Sequence, residues 1–101
     1  MPTTTTTAPP QTVEAEIVSI GVGFLPNPIE INVGDTVVWT HVDMAPNIPH
    51  TVTSQGVAPP DDFDSGLIFE GATFQVTFDN PGTFSYFCTV HPNMQGQVIV
   101  N

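Results

Sequence analysis

The amino-acid sequence predicts an all-β fold, a Greek-key β-sandwich of about eight strands. Short segments in which apolar and polar residues alternate recur along the chain, and this alternation is typical of strands with one buried face. Clusters of Gly, Pro, Asn and Asp separate these segments and indicate turns. No segment has a convincing helical pattern, so we expect two antiparallel sheets packed against each other.

The first half of the chain is predicted to contain four strands, at residues 13–20, 29–33, 36–41 and 50–54. The segment GVGFLPNP contains two Gly and two Pro, which separate the first two strands. Gly34 and Asp35 indicate a turn before the third strand, which is rich in β-branched and aromatic residues. Because Pro46 and Pro49 disfavour regular structure, we expect a loop over residues 42–49.

The second half is predicted to contain four more strands, at residues 63–69, 72–78, 83–88 and 97–100. The strand of residues 72–78 places Phe74, Val76 and Phe78 on one face and Thr and Gln side chains on the other. The sequence DNPG at residues 79–82 indicates a turn. The predicted core is centred on four aromatic residues, Trp39, Phe74, Phe78 and Phe84.

These strands form one predicted domain, residues 13–101, which follows a Thr- and Pro-rich spacer at residues 1–12. A chain of 101 residues is long enough to bury a single core. The spacer, MPTTTTTAPPQT, lacks core-forming residues and is expected to be extended. We expect it either to tether an extracytoplasmic domain, in the periplasm or at a cell surface, or to be a disordered tail without a function of its own.

The charge of the chain limits its partners. It has 10 acidic residues and no Lys or Arg, which gives a net charge of −10. Nucleic acid is a poor partner because phosphate contacts need cations, and anionic membrane surfaces are unfavourable for the same reason. No apolar run reaches the roughly 18 residues of a membrane span, so we expect no membrane insertion. Without cations to pair with them, the carboxylates are expected to have raised pKa values through mutual repulsion.

Residues 86–96, YFCTVHPNMQG, contain the only cysteine of the chain, Cys88. His91 follows it by three positions, and Met94 follows that histidine by three more. A thiolate and a thioether are soft metal ligands, and two His and one Cys with a weak axial Met form the blue-copper pattern. His50 opens a predicted strand directly after a Pro-containing loop and is the candidate for the second imidazole.

Other functions account for fewer of the residues in this segment. Structural zinc usually has more Cys or His ligands and no Met. A nucleophilic Cys–His pair would need an orienting Asn or Asp and gives Met94 no role. A lone Cys at a strand end is often only a core residue, but this leaves the nearby His91 and Met94 to chance.

Over residues 13–101 the chain resembles the cupredoxins, the small type 1 blue-copper proteins of the plastocyanin and amicyanin type. Three segments carry the resemblance: FLPNPIEINVGDTVVWTH, PHTVTS and GTFSYFCTVHPNMQGQVIV. The two-residue gap between His91 and Met94 resembles the short ligand loop of amicyanin-like members. The resemblance implies one copper ion per chain, with His50, Cys88 and His91 as strong ligands and Met94 as the weak axial ligand.

The chain departs from the cupredoxin pattern beside the site. His41 stands where relatives commonly have Asn or Asp, and it is interpreted as a satisfied polar residue, a group that supports a ligand, or a third imidazole near the metal. Thr51 follows His50 at a position whose residue often joins the two ligand loops in relatives, and Asn47 is the alternative for that role. The resemblance also implies that a backbone amide within residues 47–51 donates a hydrogen bond to the Cys88 sulfur.

The resemblance implies a monomeric electron carrier, not an enzyme, which exchanges single electrons with a redox protein. His91 is expected to expose one ring edge within an apolar docking patch of Met44, Ala45, Pro46, Ile48, Pro49 and Pro92. Three alternatives remain at this point. They are a small-molecule redox enzyme at an open copper site, for example in nitric oxide chemistry, a copper delivery or storage protein, and a metal-free interaction module.

Overall fold

The structure is a computed structural model that describes residues 9–101, so residues 1–8 of the predicted spacer lie outside the described residues. The described residues contain eight strands: β1 (Thr12–Ser19), β2 (Gly23–Leu25), β3 (Ile29–Ile31), β4 (Thr36–His41), β5 (Thr53–Ser54), β6 (Thr73–Thr77), β7 (Gly82–Phe87) and β8 (Gln95–Val100). In this part of the chain, no helix is long and apolar enough to cross a membrane.

The strands form two four-stranded sheets, with the orders β2-β1-β4-β6 and β3-β8-β7-β5. This arrangement confirms the predicted all-β sandwich. The expectation of purely antiparallel sheets was wrong, because β1 pairs with β4 and β3 pairs with β8 in parallel. Alternation of apolar and polar residues reports which face of a strand is buried, and it carries no information on the direction of the neighbouring strand.

Some predicted strands differ from those observed. Residues 36–41 were predicted with the observed bounds, whereas β2 lies in a segment that was predicted as a break. Of residues 50–54, only the last two form a strand. The predicted strand 63–69 is absent, because Gly66 adopts a left-handed φ of 67° that interrupts an extended backbone. That segment contributes only isolated bridges, from Asp64 to Thr53 and from Ile68 to His50.

The core between the sheets is built on aromatic side chains. Trp39 and Tyr86 are fully buried, and the Trp39 indole N–H donates a hydrogen bond of 3.2 Å to the Tyr86 hydroxyl. The rings of Phe63 and Phe74 stack on Trp39 at centroid distances of 6.1 and 6.2 Å. Of the four predicted core residues, Trp39, Phe78 and Phe84 are buried, and Phe74 is half-buried against the core.

Two loops meet at one end of the sandwich and position the candidate site. One follows β4, which ends at His41, and the other follows β7, which ends at Phe87. Hydrogen bonds from the Thr51 amide to the Cys88 sulfur and from the Thr89 amide to the Thr51 hydroxyl join the two loops. Because each loop leaves a strand of a different sheet, the sandwich fixes their separation.

Candidate metal centre

Three potential metal ligands converge at this end of the sandwich. One ligand atom from each of His50, Cys88 and His91 lies within 4.8 Å of the other two. The Cys88 Sγ lies 3.7 Å from the His50 Nδ1 and 3.8 Å from the His91 Nδ1. The Cys88 and His50 side chains are fully buried, whereas His91 is half-buried. One sulfur and two imidazole nitrogens therefore face a common point next to the surface.

The second ligand loop is closed by its own backbone. The Cys88 amide donates a hydrogen bond of 3.0 Å to the Met94 carbonyl, and the Met94 amide donates one of 2.9 Å to the His91 carbonyl. These bonds fold residues 88–94 into a compact turn between β7 and β8, and the Met94 side chain is buried beneath it. The turn places three of the four sequence-predicted ligands on seven consecutive residues, next to His50 from the other loop.

The thiol of Cys88 receives one backbone hydrogen bond. The donor is the Thr51 amide, with an N···S distance of 3.3 Å. This confirms the expectation that an amide within residues 47–51 donates to the sulfur. A hydrogen bond to sulfur withdraws electron density from it, which is one of the means by which a protein tunes a metal–thiolate bond.

Thr51 also joins the two ligand loops through its side chain. Its hydroxyl accepts a hydrogen bond of 2.9 Å from the Thr89 amide and lies 3.2 Å from the Thr89 hydroxyl. Asn47, the alternative for this role, is exposed and has a left-handed φ of 61°. Within residues 9–101, no side-chain hydrogen bond links Asn47 to residues 88–94. The connection between the loops is therefore made by Thr51.

A buried carboxylate contacts the His50 ring nitrogen that faces away from Cys88. The Asp43 Oδ2 is 3.0 Å from the His50 Nε2, and the Asp43 Oδ1 accepts a hydrogen bond of 3.0 Å from the Ala45 amide. The hydrogen bond with His50 is the main cause that lowers the Asp43 pKa, and the Ala45 amide adds to it. Burial lowers the pKa of His50, although Asp43 opposes this change. At neutral pH Asp43 is therefore ionised, and a neutral His50 donates its Nε2 hydrogen to it.

Sequence reasoning missed Asp43. The residue is one of ten acidic residues in the chain, and it lies seven positions before His50 in a Pro-containing loop. No periodicity predicts how such a loop folds back on itself. The available signal was chemical: a metal-binding His commonly donates its second ring N–H to a carboxylate, and Asp43 is the only acidic residue within the predicted loop of residues 42–49.

His41 supports the loop of residues 42–49 through a hydrogen bond to its backbone. The ring is buried, and its Nε2 lies 2.8 Å from the Ile48 carbonyl oxygen, so this nitrogen carries the hydrogen. The Nδ1 is buried without a hydrogen-bond partner among the described residues. The ring centroid lies 4.8 Å from that of His50. His41 is not a member of the three-residue ligand cluster, and its geometry fits a support for the loop better than a third metal-binding imidazole.

Most residues of the predicted docking patch are exposed. Of the predicted docking patch, Met44, Ala45, Pro46 and Pro92 are exposed, whereas Ile48 and Pro49 are half-buried. The structure adds two large side chains that the sequence did not indicate, Leu67 (60% exposed) and Phe69 (52% exposed). They flank Ile68, which forms two backbone hydrogen bonds with His50. Phe69 also lines a cavity of about 300 Å³ together with Ala45, Pro46, Asn47, Ile48 and Glu70.

The chemistry of the converging side chains fits copper. A thiol and two imidazoles form a soft to intermediate set, whereas magnesium and calcium prefer oxygen ligands. The fully buried sulfur accepts one backbone hydrogen bond, and its other two polar neighbours are the Nδ1 atoms of His50 and His91, which are themselves metal-ligand atoms. The Asp43 carboxylate supplies a negative charge behind one imidazole, so a cation at this site is electrostatically favoured.

Comparison with known proteins supports this interpretation. Residues 11–101 match the sequence profile of a family described as copper binding proteins, plastocyanin/azurin family. The chain is 33% identical over 92 residues to the amicyanin of Paracoccus versutus, which covers 87% of this chain and 67% of that protein. It is 32% identical over 91 residues to the plastocyanin of Vicia faba, which covers 80% of this chain and 90% of that protein. Across three amicyanins, the match spans 53 to 67% of their length.

Solved structures show the same fold. An amicyanin variant in the reduced state is similar with a TM-score of 0.77 and 27% identity, covering 89% of this chain and 82% of that one. A copper-containing nitrite reductase from Thermus scotoductus is similar with a TM-score of 0.80 and 29% identity. That match covers 93% of this chain but 23% of the reductase chain, so it concerns one part of a larger protein.

Proposed function

The chain belongs to the plastocyanin/azurin family of copper-binding proteins, and we propose that it is a type 1 copper protein that carries single electrons between redox partners. The cofactor is copper, which when bound supplies a one-electron Cu(I)/Cu(II) couple. His50 and His91 would hold it through their Nδ1 atoms and Cys88 through its Sγ, and the Met94 sulfur would be a fourth, weaker ligand. The convergence of one thiol and two imidazole nitrogens within 4.8 Å carries this proposal.

The residues around the site keep the ligand atoms in place while charge enters and leaves. The Thr51 amide donates a hydrogen bond to the Cys88 sulfur, and the backbone hydrogen bonds within residues 88–94 hold the main chain of Cys88. Asp43 fixes the ring of His50. Because these contacts are made inside the fold, little has to move during a change of one charge. A small reorganisation is what fast electron exchange requires.

The proposed route for the electron is the ring of His91, the one imidazole of the site that is partly exposed. We propose that partners dock on an apolar surface of Met44, Ala45, Pro46, Ile48, Pro49 and Pro92, extended by Leu67 and Phe69. A brief contact between redox proteins buries a small area, at the low end of protein interfaces. A chain with a net charge of −10 and no Lys or Arg favours a redox protein that carries cations around its own apolar contact surface.

An electron carrier accounts for the site better than an enzyme does. Cys88, His50 and Met94 are all buried, which restricts the approach of a small substrate. The likeness to nitrite reductase concerns less than a quarter of that enzyme chain. A copper delivery protein would be expected to offer more exchangeable soft ligands, and this chain has one Cys and three Met. We also propose a monomer with an extracytoplasmic location, tethered through residues 1–12.

Voltammetry of the copper-loaded chain tests the proposal. We expect a reversible one-electron wave and no catalytic current when nitrite, nitric oxide or peroxide is added. A Cys88→Ala variant, which lacks the thiol, should lose the wave because copper is no longer held in one geometry. A catalytic current with any of these molecules would contradict the electron-carrier proposal in favour of an enzyme. An irreversible wave in the unchanged chain would contradict it as well.

A further inference from the structure

We propose that Asp43 is a positioning residue that fixes the ring of His50 and lowers the reduction potential of the site, an inference that rests on the proposed function. Asp43 touches none of the ligand atoms. It acts through the far nitrogen of His50, the residue that would present its Nδ1 to copper. Neither the sequence pattern nor the resemblance to known copper proteins pointed to this carboxylate.

The geometry fixes both ends of the contact. The Asp43 Oδ2 accepts the His50 Nε2–H at 3.0 Å, while the Asp43 Oδ1 accepts the Ala45 amide hydrogen at 3.0 Å. The carboxylate therefore has no freedom to rotate without losing a hydrogen bond. Asp43 is 6% exposed and His50 is fully buried, so water competes poorly for either group. The pair forms a directed hydrogen bond in the interior.

This contact determines which nitrogen of His50 is free. A neutral imidazole has one N–H and one lone pair, so a hydrogen on Nε2 leaves the lone pair on Nδ1. The Nδ1 lies 3.7 Å from the Cys88 Sγ, on the side where the three ligand atoms converge. A carboxylate partner also makes the imidazole a stronger electron donor. Asp43 therefore both selects the tautomer and strengthens the ligand atom.

The charge of Asp43 affects the reduction potential because the chain has no Lys or Arg to neutralise it. The chain contains no Lys or Arg, so no cationic side chain other than a protonated His can neutralise the carboxylate. A negative charge and a strengthened nitrogen donor both favour Cu(II) over Cu(I). The expected consequence is a lower reduction potential than the same ligands would have without Asp43.

His41 holds the other end of the same loop. Its Nε2–H donates to the Ile48 carbonyl, two residues before His50, and its ring packs near the His50 ring. Residues 43–50 are thus held at Asp43 and at Ile48. Removal of the Asp43 carboxylate should leave the loop attached through His41, so its effect on copper can be separated from general unfolding.

The test compares Asp43→Asn and Asp43→Ala with the unchanged chain, and Asp62→Asn serves as a matched control because it removes an exposed carboxylate. We expect Asp43→Ala to lower the ratio of Cu(II) to Cu(I) affinity about tenfold, which raises the potential by about 59 mV for one electron. Asp43→Asn keeps the shape without the charge and should give a smaller rise. A potential in both variants equal to that of Asp62→Asn would overturn the proposal.

A second measurement does not depend on copper. Long-range ¹H–¹⁵N NMR spectra of the full chain before metal loading report which ring nitrogen of each His carries the hydrogen. We expect His50 to be the Nε2–H tautomer alone, and Asp43→Ala to give a mixture of tautomers. A His50 with its hydrogen on Nδ1 in the unchanged chain would overturn the role of Asp43. Loss of reversible copper redox chemistry with a normal His50 tautomer would instead count against the proposed function.

Discussion

Two carboxylates, Asp35 and Asp43, keep their charge inside a chain that has no Lys or Arg to pair with them. We expected mutual repulsion to raise carboxylate pKa values, and for these two residues the expectation was wrong. Backbone amides of Gln11 and Asn32 donate to the two oxygens of Asp35 at 2.8 and 3.0 Å, and these bonds lower its pKa. Hydrogen-bond donors thus replace cations as the groups that stabilise charge.

The lowered pKa of Asp35 predicts how stability responds to acid. A carboxylate whose pKa is lower in the folded state stabilises the fold above its unfolded pKa of about 4, and this contribution is lost as the pH falls through the folded value. Urea midpoints should show Asp35→Asn to be less stable than the unchanged chain at pH 7. The gap should narrow below about pH 4. A gap that stays constant from pH 7 to pH 3 would show that the Asp35 charge does not stabilise the fold.

Single residues also show what the sequence allowed us to predict at the site. Cys88, His91 and Met94 lie within seven residues, so one turn brings them together and their spacing was informative. The approach of His50 depends on a different loop, and chemistry together with the family resemblance identified it. Asp43 was missed because its contact with His50 arises from the three-dimensional path of residues 42–50, which contain two prolines and an Asn with a left-handed φ.

Pairing between β7 and β8 places a glycine directly against an aromatic ring. Gly96 on β8 is opposite Tyr86 on β7, and a Cβ at position 96 would lie 2.5 Å from the Tyr86 ring. Tyr86 cannot move away easily, because it is fully buried and its hydroxyl accepts the Trp39 hydrogen bond. Burial also raises the pKa of Tyr86 to about 12, so the hydroxyl stays neutral. The packing of Tyr86 therefore requires a residue without a side chain at position 96.

Gly96→Ala should destabilise the fold by about 1–3 kcal/mol, the usual cost of an overfilled core. Gly21→Ala is the matched control, because a Cβ at Gly21 would meet no atom within 4 Å. Urea unfolding of both variants gives the comparison. Equal midpoints for Gly96→Ala and the unchanged chain would show that β7 and β8 are not packed as closely as described.

At the level of elements, the predictions succeeded where a strand is regular and failed where it is interrupted. β4 was predicted with its observed bounds because its β-branched and aromatic residues lie in the centre of a sheet. Residues 63–69 also contain aromatic and apolar residues, but Gly66 breaks the extended backbone and leaves only two isolated bridges among the described residues. The bridge between Ile68 and His50 places Leu67 and Phe69 close to His50, where we propose that partners dock.

For the whole molecule, we expect charge and apolar surface to make separate contributions to the proposed recognition of a redox partner. The net charge of −10 acts at long range and is screened by salt. The apolar residues around His91 act only on contact. Reaction of the copper-loaded chain with a cationic redox protein should therefore slow at least about tenfold from low to high salt. A rate that does not change with salt would contradict charge-assisted docking.

The contact contribution can be tested by removing one exposed aromatic side chain. Phe69→Ser should slow electron transfer to the same partner protein at high salt and leave the reduction potential unchanged. Val33→Ser is the matched control, because Val33 is also exposed. The Val33 amide donates a hydrogen bond to the carbonyl of Asn101, which follows the C-terminal end of β8, whereas Met94 directly precedes the N-terminal end of that strand. Val33 therefore lies at the opposite end of β8 from the ligand loop. Equal rates for Phe69→Ser and Val33→Ser would place docking elsewhere on the surface.

We propose that the Cys88 thiolate and the imidazoles of His50 and His91 bind one copper ion together. The most direct test is the visible absorption spectrum of the chain loaded with Cu(II), measured beside Cys88→Ser, with circular dichroism to verify that both are folded. We predict an intense thiolate-to-copper charge-transfer band at one copper per chain, which Cys88→Ser lacks because a hydroxyl cannot supply it. The same band in the folded Cys88→Ser variant, or its absence from the copper-loaded unchanged chain, would contradict the account.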